Sequence, residues 1–231
     1  MTDTPNLSDS LEEAIRHPSL QDSATALAEL ALDSTLDLGV LRDVPLVGIC
    51  VSLARTSVAI RDRLFLNKLV HFLKELDVVP ADQRTIMIQK VNESDSFRLS
   101  VGEKLLYILD RCEDHRTSQI VAIFFTAFLQ ERISYDDFLR LAHAADSSML
   151  SDVLDFADGD WNSLPAEEAT HLLGSGLIEI VPFYIQVEDQ DDWKMNEKYK
   201  VEGGELEVRV TELGKTLRKL LGKTGHKDAE Q

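Results

Sequence analysis

Cys112-Glu113-Asp114-His115 is the first place where residue types and spacing could do chemistry. A thiol and an imidazole at C-x-x-H spacing could hold half of a tetrahedral zinc site, which takes four nitrogen or sulfur ligands. His143 and His171 are the candidates to complete it, but no second Cys or His pair lies nearby in sequence. The spacing favours a core cysteine beside a solvated histidine, and no metal is assigned. Carboxylates are abundant, yet none sits in a glycine-loop or strand-end context that would make a pair an acid/base dyad. The phosphate-loop, dinucleotide, zinc-protease and nucleophile-elbow motifs are all missing. No catalytic or cofactor-binding residue is assigned, and the chain reads as a non-enzyme.

A different chemistry is written in the stretch from Leu141 to Trp193. It contains no Lys or Arg, and its charged residues are all acidic. Asp158, Asp160, Glu167, Glu168, Asp191 and Asp192 carry the charge, with Trp161 inside the stretch and Trp193 at its end. Carboxylates beside loop tryptophans make a candidate docking surface for a basic protein partner, since aromatic residues anchor interfaces. Solubility alone would also account for the charge, and either tryptophan could instead close over the core.

The whole chain is acidic, with 231 residues and a formal charge of −17. Most of such a surface repels nucleic acid and anionic membranes, so neither is an expected partner. Apolar content is ordinary for a globular protein of one large or two small domains. Cys50 and Cys112 fall within apolar helical patterns, as small core residues do in a reducing cytosol. The acidic N-terminus has no apolar core of a secretory signal, so a cytoplasmic location is expected.

The elements that must position these residues are helical for most of the chain. The central one is Pro45 to Leu76, opened by Asp43 as cap and Pro45 in the first turn. Leu46, Ile49, Leu53, Ile60 and Leu64 keep helical spacing on one side. Phe65, Leu69, Phe72, Leu73 and Leu76 form an apolar stripe further on. An unbroken helix would run roughly 48 Å, so a bend is expected at Arg61-Asp62-Arg63, with Asp62 capping a second helix. The apolar run Leu46–Ala54 is too short to span a bilayer, which takes ~20 residues. A buried core helix is the expectation, and a membrane-acting effector exposing residues 45–60 is an alternative.

Around it the pattern predicts helices over Ser8–His17, Pro18–Leu36, Pro80–Val91, Asp95–Cys112, Thr117–Arg132, a segment opened by Ser134 with Asp137, and Met149–Ala157. Residues 1–157 thus form a helical bundle, with 1–7 frayed. The second domain, residues 158–222, is small and mixed, and 223–231 form a polar tail. It has a helix from Pro165 to Leu173 ended by Gly174-Ser175-Gly176, and a strand Leu177–Val181. A hairpin follows, in which Tyr199–Val201 meets Leu206–Val210 through Gly203-Gly204. Thr211 caps a last helix, Glu212–Leu221.

Gly176-Leu177-Ile178 before the strands and Thr211-Glu212-Leu213-Gly214 after them resemble the back half of a winged helix, as found in many bacterial transcription regulators. The resemblance covers residues 149–222 and implies a mainly α fold ending in a winged-helix-like α+β module. It would also imply DNA binding. The helix that would enter the groove, Pro165–Leu173, has two glutamates and no Lys, Arg, Asn or Gln. A DNA-binding transcription regulator is therefore the alternative and not the leading reading. Pro45 with its apolar run, Asp62, Lys68-Leu69, Phe72-Leu73, Ile133-Ser134, Phe138–Leu141 and Ser151-Asp152 resemble a group of bacterial proteins of undefined role. The layout is similar to that of the Abi-alpha type of abortive-infection protein. That resemblance implies bacterial stress or phage defence, and it carries no catalytic residues. The leading expectation is a non-enzymatic interaction or adaptor protein that binds another protein through its acidic module, with self-association as a further expectation.

Overall fold

The structure is a computed structural model that describes residues 7–32, 60–181, 186–189, 199–202 and 206–222. It is mostly helical with a small antiparallel sheet, and it divides into two units, Met1–Ser147 and Ser148–Gln231. The first half of the central stretch, with Pro45 and Cys50, lies outside the described residues. So do Asp43, Gly203-Gly204 and the polar tail.

The first unit is built from α1 (Leu7–Arg16), α2 (Leu20–Leu32), α3 (Ile60–Glu75), a 3-10 turn (Leu76–Val78), α4 (Ala81–Asn92), α5 (Val101–Arg111), α6 (His115–Leu129) and α7 (Tyr135–Ser147). Helix α6 is central, as its apolar run requires: Val121, Phe124, Phe125 and Leu129 are fully buried. It packs against α3 and α7, and α3 packs in turn on α2. The rings of Phe72, Phe125, Phe128, Tyr135 and Phe138 form a continuous cluster between these helices. Its centroid spacings of 5.1 to 5.8 Å are the range where tilted aromatic pairs gain beyond simple burial.

Helix ends follow local chemistry. Asp114 caps α6, its carboxylate accepting from the Thr117 backbone N–H at 2.8 Å and the Thr117 hydroxyl at 3.0 Å. Ser134 and Asp137 form the reciprocal box at the start of α7, with the Asp137 N–H donating to Ser134 Oγ at 3.0 Å. Asp137 Oδ2 in return accepts from the Ser134 N–H at 3.2 Å.

Three expectations for this unit are corrected. Helix α3, described from Ile60, runs through Arg61, Asp62 and Arg63, so no helix starts at Asp62. The segment expected to open a helix at Asp95 is irregular as far as Ser100. Ser100 is the actual cap of α5, its Oγ accepting from the Glu103 N–H at 3.2 Å. Leu64, placed on the apolar side of the central stretch, is 59% exposed; Leu66 and Val70 take the buried places.

The second unit contains α8 (Leu150–Asp158), β1 (Ser163–Pro165), a 3-10 helix (Ala166–Leu172), β2 (Ile178–Val181), β3 (Gln186–Asp189), β4 (Tyr199–Glu202), β5 (Glu207–Val210) and α9 (Glu212–Leu221). Helix α8, which the sequence pattern grouped with the bundle, packs here against α9. Strand β5 lies between β1 and β2, antiparallel to both.

Two further corrections fall in this unit. Strand β4 pairs with β3, not with the Leu206–Val210 segment, so Gly203-Gly204 does not join two mutually bonded strands. Val181 faces Glu207 and Gln186 faces Glu202, so β2·β5 and β3·β4 share a single register. Gly-Gly is the stronger local turn signal, but pairing register is set over the whole strand and outweighs it. The α-helix expected from Pro165 is instead a 3-10 helix interrupted by non-helical backbone at Ala169. The residues before it are held in the sheet, with Leu164 paired to Val208, and the Ala166 N–H donates to the Leu206 carbonyl at 2.7 Å. The break at Ala169 leaves three helical residues on either side of it, too few for regular α turns to propagate.

Candidate functional site

The acidic residues of the second unit are placed by α8, the loop after it and the 3-10 helix. Asp155 and Asp158 are exposed on α8, Asp160 is exposed in the loop, and Glu167 and Glu168 are exposed in the first turn of the 3-10 helix. Asp155, Glu167 and Glu168 make no ion pair among the described residues. Asp191, Asp192 and Trp193 lie outside the described residues.

Trp161 is half-buried and held from below. The Arg218 guanidinium of α9 lies 4.5 Å from the Phe156 ring centroid and 4.7 Å from that of Trp161. The two rings meet edge to face at 5.5 Å. Arg218 Nε donates to the Phe156 carbonyl at 3.0 Å, and Nη1 donates to the Trp161 carbonyl. A carbonyl in the last turn of α8 and another in the loop after it thus accept from a cation, the sign that a helix C-terminus favours. Burial pulls Arg218 below its ordinary value, and the carboxylate of Asp160 opposes this. The structure therefore joins Asp160 and Trp161 around Arg218, while Glu167 and Glu168 stand separately on the 3-10 helix.

Two glycines let the elements approach. Gly176 adopts φ +79°, open to glycine and strained for L side chains, just before β2. Gly214 sits against the Leu177 carbonyl, where a side chain would collide. Thr211 caps α9 through Oγ1, which accepts from the Gly214 N–H at 3.1 Å and donates to the Gly176 carbonyl at 2.8 Å. The Thr-x-x-Gly signature thus serves to dock α9 on the turn before β2.

A cleft of about 450 Å³ lies beside β5, lined by Asn162, Glu179, Arg209, Thr211, Glu212 and Lys215. Its charges are paired with one another, Arg209 to Glu179 at 2.8 Å and Lys215 to Glu212 at 2.7 Å. The Thr211 hydroxyl is occupied as a cap, so the cleft presents neither an activated nucleophile nor a spare cation.

The C-x-x-H motif is also accounted for. Cys112 is 2% exposed, its thiol donates to the Ile108 carbonyl, and burial pushes its pKa up to about 11. A thiol protonated at neutral pH is a poor metal ligand and nucleophile. His115 stacks on His71 instead, ring centroids 4.7 Å apart. Among the described residues no group of three His, Cys, Asp or Glu could hold a metal ion, and no helix is long and apolar enough to cross a membrane.

No protein-family model matches this chain, and neither does any curated protein or solved structure.

Two sites escaped the sequence reading. Arg84 is 1% exposed and donates to the carbonyls of Ile15, His17 and Val79. It closes the C-terminal end of α1 onto α4. Its signal was present: Arg84 occupies the first place of the stripe Arg84, Met87, Ile88, Val91, all buried. The second is Glu12, 8% exposed, which accepts from the Gly102 N–H and from Asn92 Nδ2, both at 2.8 Å, and from Arg16 at 3.0 Å. Its partners come from α4 and α5 far along the chain, so nothing local marked it.

Proposed function

We propose that this chain is a non-enzymatic interaction protein of the bacterial cytoplasm, whose acidic second unit docks on a basic surface of another protein. The observation that carries the proposal is the exposure of Asp155, Glu167 and Glu168 without ion-pair partners among the described residues. Carboxylates placed without counterions on an ordered surface attract a cationic partner and lose little desolvation energy at its rim. The half-buried Trp161, fixed by Arg218 beside Asp160, adds a rigid aromatic side chain to the same unit.

The element order α8, β1, 3-10 helix, β2, β5, α9 and the sheet order β1-β5-β2 support a winged-helix-like reading. The same geometry weighs against its usual DNA role. The segment that would enter a major groove is a kinked 3-10 helix that exposes Glu167, Glu168, Thr170 and His171 and carries no Lys or Arg. A stress or phage-defence setting rests on the resemblance to the Abi-alpha layout alone.

The test is affinity purification of the full chain from its native cell, run beside a Glu167→Lys/Glu168→Lys variant. A basic protein that co-purifies with the native chain and is lost with the variant supports the proposal. A gel shift with genomic fragments at low salt is the counter-test. Sequence-specific complexes that survive excess competitor DNA would overturn it.

A further inference from the structure

A second candidate surface, opposite in charge, lies on the helical unit. Two cavities adjoin there and share Lys104 and Leu139. The first, of about 220 Å³, is walled by Phe97, Leu99, Tyr135 and Leu139, with Arg98 and Lys104 at its sides. The second, of about 100 Å³, continues along α5 past Tyr107 to Arg111.

Three features mark this groove as built for an anionic, partly apolar ligand. The first is charge. In a chain of formal charge −17, Arg98 and Lys104 line one cavity and neither has an ion-pair partner among the described residues. The carboxylate in the groove, Asp146, is engaged by Arg111 at 2.5 Å. The second is the apolar wall. Phe97 and Tyr135 meet edge to face at 4.8 Å, and Leu99 and Tyr107 remain 36% and 57% exposed. The third is rigidity: Tyr135, 6% exposed, packs against the rings of Phe128 and Phe138, so this wall of the cavity is fixed before a ligand arrives.

Extent favours a peptide over a small anion: the two cavities share Lys104 and Leu139 and together run along α5 from Phe97 past Tyr107, further than one carboxylate or phosphate reaches. We propose that the groove between α5 and α7 binds an acidic peptide segment of a partner protein. An apolar side chain of the peptide fills the cavity beside Phe97 and Tyr135, and its carboxylates pair with Arg98 and Lys104. This is an amphipathic-segment mode of recognition, and it is independent of the acidic surface of the second unit.

The test titrates the full chain into a fluorescein-labelled synthetic peptide of alternating Glu and Asp with Leu and Phe, read by fluorescence anisotropy. Saturable binding is expected, weakening with salt because exposed charge pairs are screened. The Arg98→Glu/Lys104→Glu variant should weaken it by about tenfold or more. Replacing the peptide's Leu and Phe by Ser should do the same, and Lys90→Glu, at an exposed site on α4, should change nothing. Both altered side chains lie at the surface, so circular dichroism should show an unchanged fold. Amide shifts of the native chain on adding peptide give an independent readout and should cluster in residues 96–107 and 135–146. An affinity unaltered by the double variant, shifts elsewhere, absence of saturable binding, or equal groove-dependent binding of a single-stranded oligonucleotide would each overturn the proposal.

Discussion

Arg218 lies 4.7 Å from the ring centroid of Trp161 and donates to the same residue's carbonyl, so one side chain fixes both the ring and the backbone of the loop after α8. Asp160 and Trp161 are thereby held on an ordered loop. The consequence is a surface whose carboxylates and aromatic ring are positioned before any partner arrives, which reduces the ordering cost of binding.

Arg218→Ala should destabilise the second unit by about 2 kcal/mol, from the lost cation–π contacts and the lost donor to the Trp161 carbonyl, while the Phe156 carbonyl keeps the Gly159 N–H. Arg218→Lys should recover little, because a point ammonium cannot reproduce the forked donors over two rings. Thermal unfolding in a Trp193→Phe background, followed by Trp161 emission, checks both, with a red shift expected at the start of the Ala trace.

Arg84 is the corresponding tie in the helical unit. Burial pulls its pKa below the ordinary value, opposed by Asp77 and Asp82, but an arginine starts so high that it stays charged. Arg84→Met keeps most of the volume and leaves the carbonyls of Ile15, His17 and Val79 without their donor. A loss of about 3 kcal/mol is expected, read as a fall in the denaturation midpoint of the full chain. An unchanged midpoint would mean that water replaces the guanidinium.

Gly102→Ala and Gly214→Ala test the close approaches. Alanine in a helix ordinarily gains about 1 kcal/mol over glycine. Here a Cβ at Gly102 would meet the Ser8 carbonyl and come within 2.7 Å of Glu12 Cγ. At Gly214 it would meet the Leu177 carbonyl and come within 3.0 Å of Phe156. Backbone cannot yield as a side-chain tip can, so overpacking should win by about 1–3 kcal/mol. Chemical denaturation of each variant gives the sign directly.

His71 predicts a pH dependence. Burial, then the neighbouring His115, then Lys74 hold its pKa below the ordinary 6.5, with Glu75 pulling the other way. The unfolded chain therefore takes up a proton before the folded one does. Stability is unaffected well above 6.5 and falls as pH drops below that value, until the folded form also protonates. The melting temperature of the first unit should decline between neutral pH and mildly acid pH. His71→Gln should flatten that decline relative to the native chain.

The sequence by itself determined the mainly helical class, because apolar residues at helical spacing leave few alternatives over long segments. The span of α1 and the start of α7 were legible from the proline after one and the Ser–Asp box before the other, whereas α6, expected over Thr117–Arg132, runs over His115–Leu129. The sequence also determined the acidic, cation-free character of residues 141–193, which is a matter of composition. Only the tertiary structure decided the rest. The pairing of β4 with β3, against the local Gly-Gly signal, depends on cross-strand partners, Gln186 opposite Glu202 and Asp189 opposite Tyr199. The anchoring of Ala166–Leu172 on the sheet depends on a backbone bond to Leu206, which precedes the neighbouring strand β5 and lies forty residues further along the chain. Arg84 and Glu12 are buried only because carbonyls and amides distant in sequence arrive to satisfy them. The cationic groove exists because Arg98, Lys104 and Tyr135, unremarkable along the chain, are brought to one cavity by the packing of α5 on α7. Periodicity and composition are local sums over a segment. Register, burial of charge and surface juxtaposition are set by partners that a local sum does not contain.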